Sequence, residues 1–326
     1  TATYLADVPQ FLRRYLRSMR DVQRTDGRFP DIAPLGGGFG GLLWGSAGIT
    51  VPWECYQQYG DTILLSEHYD AMKRYIQYII DNTIETETNL IVQTRSWGDL
   101  CDWLGLEDEK NDKSLVWEAY FIYDLELMAK MATVLGKVTD AEWFRELHAA
   151  RKDFFNKTYI EPETGKTLFS AFVPEKKGSH IDIQTSYVLP LAFNIIDEEN
   201  RNKVIANLAE TVRRENTTDR GQQCPSYSLM TGFIGTSWIN KALSDYGHSD
   251  LAYRLLQQTS YPSWLYSIEQ GATTIWERLN SYTRTDGFGG NNRMNSFNHY
   301  SFGAVGAWMY NYSLGIQRDE TFPGFK

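Results

Sequence analysis

The chain has 326 residues, 42% of them hydrophobic, which suits one large core or two modest ones in an ordinary globular protein. A net charge of −9 with no basic cluster argues against nucleic acid or an anionic membrane as partner, and no run approaches the roughly 20 apolar residues that span a bilayer. Three widely spaced cysteines (Cys55, Cys101, Cys224) and five histidines without a His-Glu-x-x-His pattern speak against a disulfide framework, a zinc site or a metal-centred mechanism.

In chain order, helical periodicity predicts helices over about 6–24 and 44–59. The next runs from Ser66 to Ile80, where Tyr69, Met72, Ile76 and Ile79 share one face. Tyr120, Tyr123, Leu127 and Met131 mark another, and Trp143, Leu147, Ala150 and Phe154 its successor. Further helices are expected near 182–194, 197–214, 229–246, 248–258 and 298–316, with short strands or hairpins at 89–95 and 158–169. Tyr59-Gly60-Asp61, Leu135-Gly136 before Asp140, and Tyr246-Gly247 before Asp250 separate successive helical runs. In each, Gly closes one helix in the left-handed conformation and Asp is expected to cap the next. Repeated αα-hairpins at unequal spacing predict an all-α closed toroid rather than a solenoid, in one domain over 1–326.

Aromatic residues reach 14%, with 10 Trp and 20 Tyr, a composition that suits stacking on sugar rings as well as a core rich in rings. Gly36-Gly37-Gly38-Phe39-Gly40-Gly41 fits G-x-G-x-x-G only formally. A turn precedes it, no βαβ unit follows, and it is read as a mobile loop over a pocket. Trp97-Gly98-Asp99-Leu100-Cys101-Asp102-Trp103 sets two acids beside two indoles, and Leu43-Trp44-Gly45-Ser46 adds another Trp. In Ala272-Thr273-Thr274-Ile275-Trp276-Glu277-Arg278 a carboxylate lies between Trp and Arg, where Arg would hold it charged and Trp shape a pocket; a plain surface salt bridge is the rival explanation. Met294-Asn295-Ser296-Phe297-Asn298-His299-Tyr300 is dense in hydrogen-bonding groups. Asn295 or Ser296 would cap a helix and His299 would bind sugar hydroxyls. Together these residues predict an acidic, aromatic, loop-built pocket for carbohydrate on a helical barrel.

At these motifs the sequence resembles the catalytic domain of the α-L-rhamnosidases, family 78 of the glycoside hydrolases. The likeness runs from Thr1-Ala2-Thr3-Tyr4 through Trp44-Gly45, Pro52-Trp53, Gly98-Asp99, Thr231-Gly232-Phe233-Ile234-Gly235-Thr236 and Tyr261-Pro262-Ser263-Trp264. It ends in the two blocks containing Glu277 and His299. The resemblance implies an (α/α)6 barrel and inverting hydrolysis of terminal α-L-rhamnosides, without cofactor or metal. Glu277 matches the general base, His299 a rhamnose-binding histidine and Trp44 a pocket Trp. Asp99 and either Trp97 or Trp103 fall at the other sugar-contacting positions. Two departures stand out: Trp44-Gly45-Ser46-Ala47 replaces Trp-Gly-Asp-Ala, and Gly98-Asp99-Leu100 replaces Gly-Asp-Trp.

The family's acid-bearing Arg-Asp-Glu-Arg segment and its β-sandwich domains lie upstream of the Thr-Ala-Thr-Tyr block. The expectation is therefore a domain cut at its N-terminal end, short of most of its first barrel helix and inactive or weakly active by itself. Its partners are expected to be rhamnose-containing glycosides or polysaccharides and its own upstream domains, in a bacterial periplasmic or secreted setting rather than a cytoplasmic one. Another (α/α)-barrel exo-glycosidase, a polysaccharide lyase and a non-catalytic sugar-binding fragment are the competing readings.

Overall fold

A computed structural model describes residues 2–38, 40–93, 100–289, 294–319 and 321–324. Its helices are α1 (Ala2–Leu5), α2 (Pro9–Asp21), α3 (Ala47–Tyr59), α4 (Thr62–Thr83), α5 (Lys113–Val134), α6 (Val138–Tyr159), α7 (Gln184–Ala192) and α8 (Glu198–Arg213). They continue with α9 (Phe233–Thr236), α10 (Ile239–Asp245), α11 (Ser249–Gln257), α12 (Trp264–Glu269) and α13 (Val305–Trp308). The sole sheet among the described residues is the antiparallel pair β1 (Asn216–Thr217) and β2 (Gln223–Cys224).

The helices form two layers. α3 packs on α5, α5 on α7, α7 on α10 and α10 on α13, and these make the inner layer. Each of the first four carries an outer partner next to it in sequence: α4 on α3, α6 on α5, α8 on α7 and α11 on α10. α5 shows why the inner layer is inner. Leu115, Trp117, Phe121, Leu125 and Met128 are buried, and so are Glu118 and Asp124, leaving a narrow stripe through Glu126, Lys130 and Thr133 that reaches water. The segment after α13 returns to the start. Tyr4 stacks on Tyr310 (5.0 Å) and donates to Asn311 at 2.6 Å, while Arg318 pairs with Glu54 of α3 at 2.7 Å. This is the alternation that the hairpin punctuation predicts.

The punctuation itself holds in part. Gly60, Gly136 and Gly247 all take positive φ (66°, 69° and 84°), as closing a helix in the left-handed region requires. Only Asp61 caps as expected, accepting the Leu64 N–H at 2.9 Å. α6 and α11 begin earlier than the hairpin reading assumed, so Asp140 and Asp250 lie inside the first turn instead of ahead of it. Asp140 instead joins α6 to α4, accepting from Tyr69 (2.8 Å) and Lys73 (2.7 Å).

Three other expectations change. The single helix expected over 229–246 is broken into α9 and α10, α12 was not foreseen, and the helix over 298–316 is a 3₁₀ turn, one α turn and a π turn. The strand signals at 89–95 and 158–169 reduce, within the described residues, to the isolated bridges Ile84–Ile91, Ile160–Thr167 and Leu168–His180. The glycine stretch folds back on the preceding turn. A side chain at Gly38 would strike the Asp31 carboxylate and one at Gly40 the Phe29 carbonyl, each 1.8 Å from the added Cβ. Asn156, Asn216 and Asn311 each head an Asn-x-Ser/Thr sequon, and the first two are buried: the Asn156 amide donates to the Lys152 and Ile195 carbonyls and the Asn216 amide to that of Thr211, so neither nitrogen is open to a glycan. Cys55, Cys101 and Cys224 are free and buried.

One buried histidine costs the fold stability in acid. His68 lies between Phe29, stacked at 5.6 Å, and the Gly48 carbonyl, to which its Nε2–H donates at 3.0 Å. Burial, reinforced by the positive charge of Arg20, lowers its pKa from 6.5 to about 3. The unfolded chain therefore binds a proton at His68 that the folded chain refuses. Stability from this group is whole above pH 6.5, falls as pH drops below it, and levels off under about pH 3. At pH 5 the loss is about 2 kcal/mol. Between pH 7 and pH 5 the buried carboxyls Glu107 and Asp108, raised to about 7 and about 6, gain stability as they protonate, so the His68 contribution is read by difference: in urea denaturation at the two pH values, His68→Gln should lose about 2 kcal/mol less than the unaltered chain. An unchanged pH dependence in the variant would assign the acid sensitivity elsewhere.

Candidate active site

Two loop segments run antiparallel to each other. The Glu277 N–H donates to the Ser296 carbonyl at 2.8 Å, and the His299 N–H donates to the Ile275 carbonyl at 3.0 Å. This pairing puts the two sequence blocks singled out above side by side. Trp276 is buried edge-on against Phe297 at 5.3 Å and anchors one segment to the other. The Glu277 carboxyl is 5% exposed and its Oε2 accepts the Ser296 N–H at 2.8 Å. Oε1 has no hydrogen-bond partner among the described residues. One oxygen is thus held by the backbone and the other is free to take a proton.

No ion pair joins Arg278 to Glu277 among the described residues. The chain bends at these two positions and enters a turn closed by the Ser281 N–H on the Arg278 carbonyl at 3.1 Å. The Arg278 side chain lines a cavity of about 440 Å³ together with Trp103, Asp108, Tyr261, Asn280 and Phe302. Nor do Asn295 and Ser296 cap a helix: the Asn295 amide donates to the Ser281 carbonyl at 3.0 Å, the Ser296 hydroxyl accepts from Asn298 at 3.2 Å, and the following turn starts only at Ser301.

His299 is half-buried, with its ring stacked on Phe233 at 4.7 Å. Its Nδ1 accepts the Ser301 N–H across 3.5 Å, a weak bond that still favours the tautomer with hydrogen on Nε2. Nε2 has no partner among the described residues, so its N–H is available to a ligand oxygen. Trp103 is half-buried, and its carbonyl accepts the N–H of the same Phe233 at 2.9 Å. Glu277, His299 and Trp103 therefore belong to one connected group of loops.

Asp102 is not open to a sugar. It is 1% exposed and accepts from the Gly232 (2.8 Å), Ile234 (2.9 Å) and Gly235 (2.9 Å) amides and from the Thr185 hydroxyl. Burial raises its pKa and those four donors oppose the rise. Behind it, burial lifts Asp108 to about 6 and Glu107 to about 7, and Asp108 accepts the Asp102 N–H at 2.9 Å.

Trp44 is half-buried on the turn before α3, and no hydrogen bond or ring contact joins it to the Glu277 group among the described residues. The Ser46 hydroxyl, at the family's Asp position, donates to Asp124 of α5 at 2.6 Å. Burial drives the Asp124 carboxyl well above the carboxylate range, and a second acid at 46 would face it directly. Trp97 and Asp99 lie outside the described residues. Sequence reasoning missed Phe233, the ring behind His299. Its only signal was the Gly232-Phe233 step inside a block quoted for resemblance.

A two-layer helical toroid with loop-borne acid, indole and imidazole groups defines a six-hairpin glycosidase domain. Residues 1–313 match the model of the bacterial alpha-L-rhamnosidase six-hairpin glycosidase domain, and the chain belongs to that family. A Streptomyces avermitilis protein named alpha-L-rhamnosidase is 37% identical over 318 residues, which cover 97% of this chain and 28% of that protein. A Formosa agariphila protein of the same name is 34% identical, over 97% of this chain and 32% of that protein. Among solved structures, the Streptomyces avermitilis alpha-L-rhamnosidase complexed with L-rhamnose superposes with a TM-score of 0.80 at 34% identity, over 95% of this chain and 27% of that one. The alpha-L-rhamnosidase from Dictyoglumus thermophilum gives 0.78 at 31% identity, over 95% and 32%. The chain thus spans about a third or less of each of these relatives, and its architecture is that of an (α/α)6 barrel.

Proposed function

We propose that this domain carries out inverting hydrolysis of terminal α-L-rhamnosides, with Glu277 as general base and His299 and Trp103 among the side chains that hold the sugar. The observation that carries the reading is the Glu277 carboxyl itself: buried, one oxygen fixed on the Ser296 amide, the other unpartnered among the described residues, on a segment paired with that of His299. The relatives named above supply the sugar. In the proposed reaction Glu277 takes a proton from water while the water oxygen attacks the anomeric carbon. The glycosidic C–O bond breaks, and a protonated carboxyl across the sugar gives its proton to the leaving oxygen. Such carboxyls stand roughly 6.5–9.5 Å apart to admit the water.

Two measurements on the complete enzyme test this. Proton NMR of a fresh digest of an α-L-rhamnoside should show β-L-rhamnose first; α-L-rhamnose first would exclude inversion. His299→Ala should weaken L-rhamnose binding by about 0.5–3 kcal/mol, the worth of a lost hydrogen bond, with little change in melting temperature. Unchanged affinity by calorimetry would make His299 a structural residue.

A further inference from the structure

We propose that Asp102 is a positioning residue, a buried brace that sets His299 and Trp103 in place for the sugar; the proposal rests on the rhamnosidase reading of the site. No cation pairs with Asp102 among the described residues. Its carboxyl accepts from three backbone N–H groups of a segment more than a hundred residues away in sequence and from the Thr185 hydroxyl of α7. Those amides belong to Gly232, Ile234 and Gly235, which surround Phe233. The Phe233 N–H is in turn committed to the Trp103 carbonyl, and its ring stacks on His299 and meets Phe302 edge-on at 5.4 Å. On the other side the Asp102 carbonyl accepts the Gly105 N–H at 2.7 Å, fixing the turn that carries Trp103. One carboxylate therefore ties the indole-bearing loop to the ring that backs the imidazole.

The fit leaves no slack. A Cβ at Gly232 would lie 2.3 Å from the Asp102 carbonyl oxygen and 2.4 Å from that of Trp103, and one at Gly235 would lie 2.7 Å from the Thr185 hydroxyl. An Asn side chain matches Asp in size but offers one acceptor oxygen, so its NH2 would face N–H donors that need an acceptor. A brace serving the fold alone would lower stability on loss and leave sugar affinity to His299 independently. A positioning brace would act through His299.

A double-mutant cycle separates the two. In the complete enzyme, Asp102→Asn should weaken L-rhamnose binding by roughly tenfold or more in calorimetry, and by several-fold less when His299→Ala is already present, the remainder coming through Trp103. Thr185→Val, which removes one donor at constant shape, should give a smaller loss with the same dependence on His299, and Thr185→Ser should restore binding. Without any sugar, the His299 ring C–H resonance should move in Asp102→Asn and Thr185→Val while that of His180 stays. Additive affinity losses with an unmoved His299 resonance would overturn the proposal. If Asp102→Asn does not fold, the Thr185→Val cycle decides by the same criteria. If the unaltered enzyme does not bind rhamnose, the functional reading fails, and the resonance alone still decides whether Asp102 positions His299.

Discussion

Glu277→Gln in the complete enzyme is expected to lower turnover by about 10²–10⁴-fold while leaving the fold intact, the usual worth of a general base. That is about 3–5 kcal/mol of transition-state stabilisation. The fold should survive because the Gln carbonyl oxygen can still accept the Ser296 N–H that now binds Oε2. The chemistry should not, because an amide cannot take the proton of the attacking water. Affinity for rhamnose should change little, so the loss should appear in kcat. A second variant sharpens the result: Glu277→Ala should regain turnover in azide, an anion that needs no deprotonation, and should yield the β-rhamnosyl azide. Near-normal turnover in Glu277→Gln would remove Glu277 from the mechanism, and an α-azide would contradict inversion.

How far this site could be read from sequence depends on how local each signal is. α4, α5 and α6 were legible because each is 22 residues long and carries apolar residues at three- and four-residue steps. The start of α9 at Phe233, instead of near residue 229, was not. The stretch 229–246 has a helical period, but the amides of Gly232, Ile234 and Gly235 bond to Asp102, which no local pattern can reveal. The same distant bond explains why Asp102 reads in sequence as a sugar-facing acid and proves to be internal. Glu277 and His299 were found through motif blocks, whereas their pairing across the Ile275–Glu277 and Ser296–His299 segments is a tertiary fact. Arg278 was misread because sequence adjacency was taken for contact, whereas the chain bends there into a turn and places the Arg278 side chain in a different cavity. β1 and β2 have two residues each, too few for alternation to show.

The second large effect lies in the core, at the ion pair between α5 and α6. Glu118 is fully buried and Arg151 nearly so, and the guanidinium reaches both carboxylate oxygens, with Nε donating to Oε1 at 2.8 Å. The remaining Arg151 donors go to the Asn89 side chain at 2.8 Å and its carbonyl at 3.0 Å. Burial raises the Glu118 pKa and Arg151 opposes the rise, so the carboxylate depends on its partner to remain charged. Arg151→Met should therefore destabilise the domain by about 3–5 kcal/mol, most of it the cost of a buried acid left alone. Replacing both, Glu118→Met with Arg151→Met, should recover the greater part of that loss, because two apolar side chains need no partner and exposed Asn89 can turn to water. Guanidinium denaturation of the two single variants and the double gives the comparison. If the double variant is as unstable as the sum of the singles, the two side chains are not coupled, and each stabilises the fold through its own other contacts. In that case, the loop at Asn89 would be the first place to look for what the pair holds down.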